Sequence, residues 1–196
     1  SLIRIIFDRL YQHQEFIDLI SSRKDQVNSI NFQKKCEKMC LKTANEMQIS
    51  SSLLIDELMN KPFKLIIEND ETCLKKAMDF LEFLPFYTNP IDILSHIYLS
   101  LKECESFLKS QNNQIIDCKE INDDIVIDEN NNEENNNISF DDIFPIFCAV
   151  LGYCHPSNCL EIAHFLDIIK GFVFNSQLNY ANSIFISAVS YINTDV

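Results

Sequence analysis

The run Ser139-Phe140-Asp141-Asp142-Ile143-Phe144-Pro145 sets two carboxylates side by side just ahead of an apolar stretch. Taken alone, such a pair serves to offset the positive end of a helix that begins there. The alternative is an anion fixed at the surface and available to another molecule. Ser139 and Asp142 have the three-residue spacing of a capping box, so a helix starts at this point. Pro145 lies too deep for a first-turn proline; lacking an N–H, it leaves the Asp141 carbonyl unbonded and bends the chain. The residues from Ile143 to Tyr153 are apolar nearly all round, and a helix of that kind must be buried. An acidic turn at the end of a buried shaft makes Asp141 a carboxylate projecting from a rigid base.

A second candidate group is Tyr180 with Ser183, a polar-tipped ring and a hydroxyl three residues apart, followed by the stripe Ile184, Phe185, Ala188, Val189 and Ile192. The stripe has helical core spacing, and by itself Tyr180 reads as a half-buried core tyrosine. Other chemistries find little support. His13, His96, His155 and His164 lack triad-like partners, and a hydrolase would rest on a chance Cys and His pairing. Cys36 and Cys40 share one helical face, and Cys148, Cys154, His155 and Cys159 could be drawn as a metal cluster. Neither set has paired CxxC spacing, so the eight cysteines read as buried, reduced thiols and no metal is expected.

Composition removes further classes. Two glycines in 196 residues exclude a glycine-rich phosphate loop, and with it a nucleotide-hydrolysing or dinucleotide-binding domain. A formal charge of -13 denies a nucleic-acid partner its main attractive term. No cofactor is implied. The longest apolar run, Ile143 to Cys154, spans 12 residues, against the roughly 20 that a membrane-crossing helix needs. The opening SLIRIIFDRL has no signal-peptide pattern, and its first residue is Ser, so the chain reads as a soluble, cytoplasmic piece of something longer.

Low glycine and proline with i, i+3, i+4 apolar spacing make the chain all-α. Leu94, Ile97, Leu101, Cys104 and Leu108 carry that spacing most clearly. Upstream, the pattern predicts helices around 2–20, 27–48, 51–59 and 72–84, with Ser51 or Ser52 and Asn69 or Asp70 as N-caps. Pro85 and Pro90 bracket a break, after which Asn89 caps a helix with Pro90 in its first turn. The expected organisation is an N-terminal helical bundle over 1–88 packed on a layered helical domain over 89–196. Within the second part, 113–137 holds eight acidic residues against one lysine and supplies seven of the thirteen net negative charges. It reads as a disordered acidic insert.

Four features occur in one order: NPIDILSHI with Pro90, Leu94 and Ile97; DDIFP ahead of a buried helix; Pro156 and a helix through Phe165 to Ile169; and Tyr180 with Ser183. Together they resemble the vacuolar protein sorting nine domain over about Asn89 to Ile192. That resemblance implies a guanine-nucleotide exchange factor for an endosomal GTPase of the Rab-five subfamily. Such a protein acts in endocytosis and vesicle-mediated transport, and is a catalyst without covalent chemistry. It assigns Asp141 as an aspartate finger and Tyr180 as its partner, with Pro145, Ser183 and Asp142 supporting and Phe144 and Pro156 contacting the GTPase. The family's threonine is Ser183 here, which keeps the hydroxyl and loses a methyl. The family's Ser-Asn-Ile is replaced by Glu161, Ile162 and Ala163, and its glycine-tyrosine lead-in by Leu178 and Asn179. Recruitment to early endosomes would come from flanking sequence. The competing expectation is a non-catalytic GTPase-binding scaffold with a degenerate exchange domain.

Overall fold

The computed structural model describes residues 2–21, 26–70, 72–120, 138–172 and 174–195. Its helices are α1 (Leu2–Leu10), α2 (Gln14–Ser21), α3 (Gln26–Leu41), α4 (Asp56–Met59), α5 (Phe63–Asn69), α6 (Cys73–Glu82), α7 (Pro90–Glu120), α8 (Phe140–Cys154), α9 (Cys159–Ile168) and α10 (Ser176–Asp195), with a 3-10 turn at Leu84–Phe86. Among the described residues there is no strand, only an isolated bridge between Thr43 and Pro62. The chain is all-α.

Helix boundaries depart from the periodicity at turns, in several of which side chains capture the backbone. The helix expected over 2–20 is broken by a turn at 11–13, where the N–H groups of Gln12 and His13 bond back to Arg9 and Leu10. The one expected over 27–48 stops at Leu41, because Thr43 and Glu46 bond each other reciprocally. The Thr43 N–H donates to the Glu46 carboxylate at 2.7 Å, and the Glu46 N–H donates to the Thr43 hydroxyl at 3.2 Å. Over 51–59 only Asp56–Met59 is α-helical. Ser51 and Ser52 start no helix, and the Ser52 N–H goes to the Ser50 hydroxyl at 3.3 Å. Asp70 does act at the next start, accepting from the Leu74 N–H and, at 2.8 Å, from the Thr72 hydroxyl. Asn89 also caps as expected, accepting the Ile91 N–H at 3.0 Å ahead of Pro90. Helix α7 then runs on to Glu120, past the expected start of the acidic insert at 113. No Gly or Pro interrupts 91–120, and a formed helix propagates readily. The rest of that insert, 121–137, lies outside the described residues.

Leu94, Ile97, Leu101, Cys104 and Leu108 are all buried along one face of α7. That face packs against α6 and α10, while α8 lies between α3, α5, α6, α7 and α10. Helix α8 is the shaft of the fold: Ile146 through Leu151 are each 0% exposed. Burying a side chain such as Phe147 contributes about 1.5–3 kcal/mol. Gly152 lets α3 approach closely, since a Cβ there would sit 3.0 Å from the Cys36 carbonyl oxygen and 3.2 Å from the Met39 Cβ. At the N-terminus Phe7 closes an aromatic group, its ring edge-on to Phe165 at 5.8 Å and tilted against Phe172 at 5.6 Å. Arg4 bonds Asp92, tying α1 to the start of α7. The buried apolar residues form one connected core from Phe7 to Ile192, so the N-terminal helices and the remainder share their interior.

Candidate functional site

The capping box at the start of α8 is formed. The Ser139 N–H donates to one Asp142 carboxylate oxygen at 3.0 Å, and the Ser139 hydroxyl donates to the same oxygen at 2.5 Å. This separates the two neighbouring carboxylates. Asp142 is half-buried and spent on the helix start, whereas Asp141 is exposed and has no hydrogen bond or ion pair among the described residues. Pro145 follows inside the helix and removes the N–H that would have bonded the Asp141 carbonyl. Ile143 behind it is 7% exposed, and the shaft from Ile146 onward anchors the turn.

Phe140 and Phe144 stand beside Asp141 on the same stretch of α8, their rings 5.3 Å apart. Phe144 is half-buried and also meets the Tyr191 ring edge-on at 6.0 Å. Phe140, 44% exposed, reaches across to Tyr180 of α10, edge-on at 6.4 Å. The fold therefore brings the first turn of α8 and Tyr180 together, although they lie some forty residues apart in sequence. Tyr180 is 37% exposed, and its hydroxyl has no partner among the described residues. Ser183 is one turn further along α10, exposed, its hydroxyl donating to the Asn179 carbonyl at 3.1 Å. Pro156 is elsewhere. It is buried past the far end of α8, which has 15 residues and is thus about 22 Å long.

Between Phe140 and Tyr180 opens a cleft of about 360 Å³, floored by Ile143 and Leu101 and walled by Tyr98, Lys102 and Glu105 of α7. Of the 143–174 helices only Ile143 lines this cleft; Ile138 and Phe140, with Ser176, Gln177 and Tyr180 of α10, complete it opposite the α7 residues. These α7 residues were missed, though Tyr98, Lys102 and Glu105 follow helical spacing. Nothing in one helix's periodicity says which neighbour its polar face meets.

The cleft's charges are paired. Glu105 accepts from Lys102 at 2.6 Å and from Lys109 at 2.7 Å. Burial alone would raise the Glu105 carboxyl, but the two lysines outweigh it and hold it below the usual range. Lys102 is shifted up, chiefly by its bond to Glu105. Burial pushes the Tyr180 phenol up; Glu105 adds to the rise and Lys102 offsets part of it. At neutral pH Tyr180 is therefore a firmly protonated donor at the mouth of this cleft, one ring contact away from the first turn of α8.

The remaining candidates for chemistry are structural. Among the described residues no group of three His, Cys, Asp or Glu could hold a metal. Cys36, Cys40, Cys73, Cys104, Cys148, Cys154 and Cys159 are free, five of them buried, and burial raises the Cys36 thiol to about 12. His96 is fixed between Tyr87 and the Asp92 carbonyl, each at 2.9 Å. The carbonyl can only accept, so Nδ1 carries the proton and Nε2 accepts from the Tyr87 hydroxyl.

No family model, curated protein or solved structure matches the chain. Among the described residues no helix is long and apolar enough to cross a membrane.

Proposed function

We propose that the chain is a guanine-nucleotide exchange factor for a small GTPase of the Rab-five subfamily, with Asp141 as the group that enters the nucleotide site. The observation that carries this reading is the contrast within one turn. Asp142 is consumed by the capping box, while Asp141 next to it stands exposed and unpartnered at the end of a helix fully buried from Ile146 to Leu151. A carboxylate stabilising only its own helix has no need of so fixed a mount.

A GTPase holds the nucleotide phosphates through Mg2+, backbone N–H groups and a lysine of its phosphate loop. An inserted carboxylate pairs with that lysine as the phosphate leaves and repels the remaining phosphate charge, so the nucleotide-free state becomes accessible. No bond is made or broken covalently. Tyr180, protonated at neutral pH and backed by Phe140, provides a rigid ring and a donor to steer a displaced GTPase segment. Phe140 and Phe144 offer apolar contact alongside it.

Release of a fluorescent GDP analogue, measured over a panel of Rab GTPases, tests the proposal. The protein should accelerate release from at least one member, and Asp141→Ala should lower that rate by roughly 10²-fold or more with its melting temperature unchanged. Folded protein that accelerates none of the panel sinks the proposal. Binding of a loaded GTPase with an affinity that Asp141→Ala leaves unaltered would favour the non-catalytic scaffold.

A further inference from the structure

At the opposite end of α8 from Asp141 lies a larger groove of about 680 Å³, bounded by α3, by the corner where α6 turns into the 3-10 segment, and by the link from α8 to α9. Its apolar walls are open to solvent: Phe86 is 78% exposed and Ile30 56%, with Leu160 half-buried between them and buried Pro156 at the base. Phe83, 53% exposed, extends this surface, its ring 6.4 Å from Phe86. Large side chains left out in this way beside a concavity mark an interaction surface.

Among the described residues the carboxylates that line the groove, Glu82 and Glu161, meet no lysine or arginine there. Helix α6 ends at Glu82 and α8 ends at Cys154, and neither has a basic residue in its last turn. Two helix C-termini, each the negative end of its dipole, therefore converge here uncompensated. Glu82 adds a full negative charge where a helix least favours one. Glu161 also lines the groove; it sits in the first turn of α9, whose positive end it offsets. Neither carboxylate is in an ion pair among the described residues, and no Lys or Arg lines the groove. Among the described residues His155 is the one lining side chain able to carry positive charge.

We infer that this groove docks a basic, apolar segment of a partner protein, one whose Leu, Ile or Phe anchors cover Phe86 and Ile30 while its Lys or Arg side chains meet Glu82 and the two helix ends. A lipid surface fits poorly, because the site is concave and the chain carries -13 at neutral pH. A second copy would bring the same excess of negative charge. The inference is independent of nucleotide exchange: Asp141, Phe144 and Tyr180 lie towards the other end of α8, and Pro156, which the family resemblance assigns to GTPase contact, is buried here at the base of the groove.

The test is fluorescence polarisation of the full chain with labelled synthetic peptides carrying Leu and Phe anchors flanked by Lys and Arg, against the same peptides with Glu in place of the basic residues. Basic peptides should bind, and the Glu series should not. Phe86→Ala and Glu82→Lys should each weaken binding about tenfold or more. Glu57→Lys, a charge reversal on the exposed face of α4, should change it little, which separates the groove from general attraction to an acidic chain. Glu82→Lys should keep or raise the melting temperature, since a cation suits that helix end, so lost binding cannot be put down to lost fold. The inference is overturned if no basic peptide binds, or if binding survives both groove variants. It is equally overturned by light scattering that shows a dimer abolished by Phe86→Ala, or by binding to phosphatidylserine vesicles that Phe86→Ala abolishes.

Discussion

At its N-terminus α8 meets solvent through a closed capping box and a first turn whose two acids suit the positive end of the dipole. At its C-terminus the same helix stops on His155 in a left-handed conformation, φ 31°, with no basic residue in the last turn. One end is electrostatically complete and still displays an extra carboxylate; the other is incomplete and surrounded by open apolar side chains. The difference teaches that a surplus and a deficit can both mark a surface used by something else. Asp141 is a carboxylate beyond the one its capping box uses, and the far groove lacks charge that its helices would use.

Three substitutions grade how firmly the two ends are joined. Phe147→Ala removes a fully buried ring from the middle of the shaft and should cost about 3–5 kcal/mol in urea unfolding. Both surfaces should weaken together in that variant, and loss at only one end would mean the shaft does not couple them. Gly152→Ala pushes a methyl against the Cys36 carbonyl and Met39, with an expected loss of about 1–3 kcal/mol. Its effect should fall on the α3–α8 contact and the nearby groove, leaving GDP-analogue release per folded molecule unchanged. Ser139→Ala opens the capping box and should cost about 1 kcal/mol. Here the assignment of ends reverses: nucleotide release should slow while peptide docking at the far groove stays the same.

Much of this was legible from residue order. The capping box, the buried run behind it, the Asn89 cap before Pro90 and the α7 core face follow from local spacing, and each is present. What stayed hidden was long-range. That Phe140 would meet Tyr180, and that Tyr98, Lys102 and Glu105 would wall the cleft, depends on how α7, α8 and α10 pack, which no single helix encodes. Helix ends at 41 and 56 were misplaced for a different reason. Thr43 and Ser50 satisfy nearby backbone groups through their own side chains, a competition that apolar periodicity does not register. The far groove was invisible because its signal is an absence: missing basic residues at two helix ends become meaningful only once those ends adjoin.

The sequestered thiols set an order of events for the young chain. An unfolded chain exposes its cysteines as thiols of ordinary acidity, free to pair wrongly with an oxidant. Once the core closes, Cys36, Cys40, Cys104, Cys148 and Cys159 are inside it, and burial holds their protons on. Folding must therefore outrun oxidation. In the folded protein, the slow phase of alkylation at these five positions keeps time for the opening of the core itself.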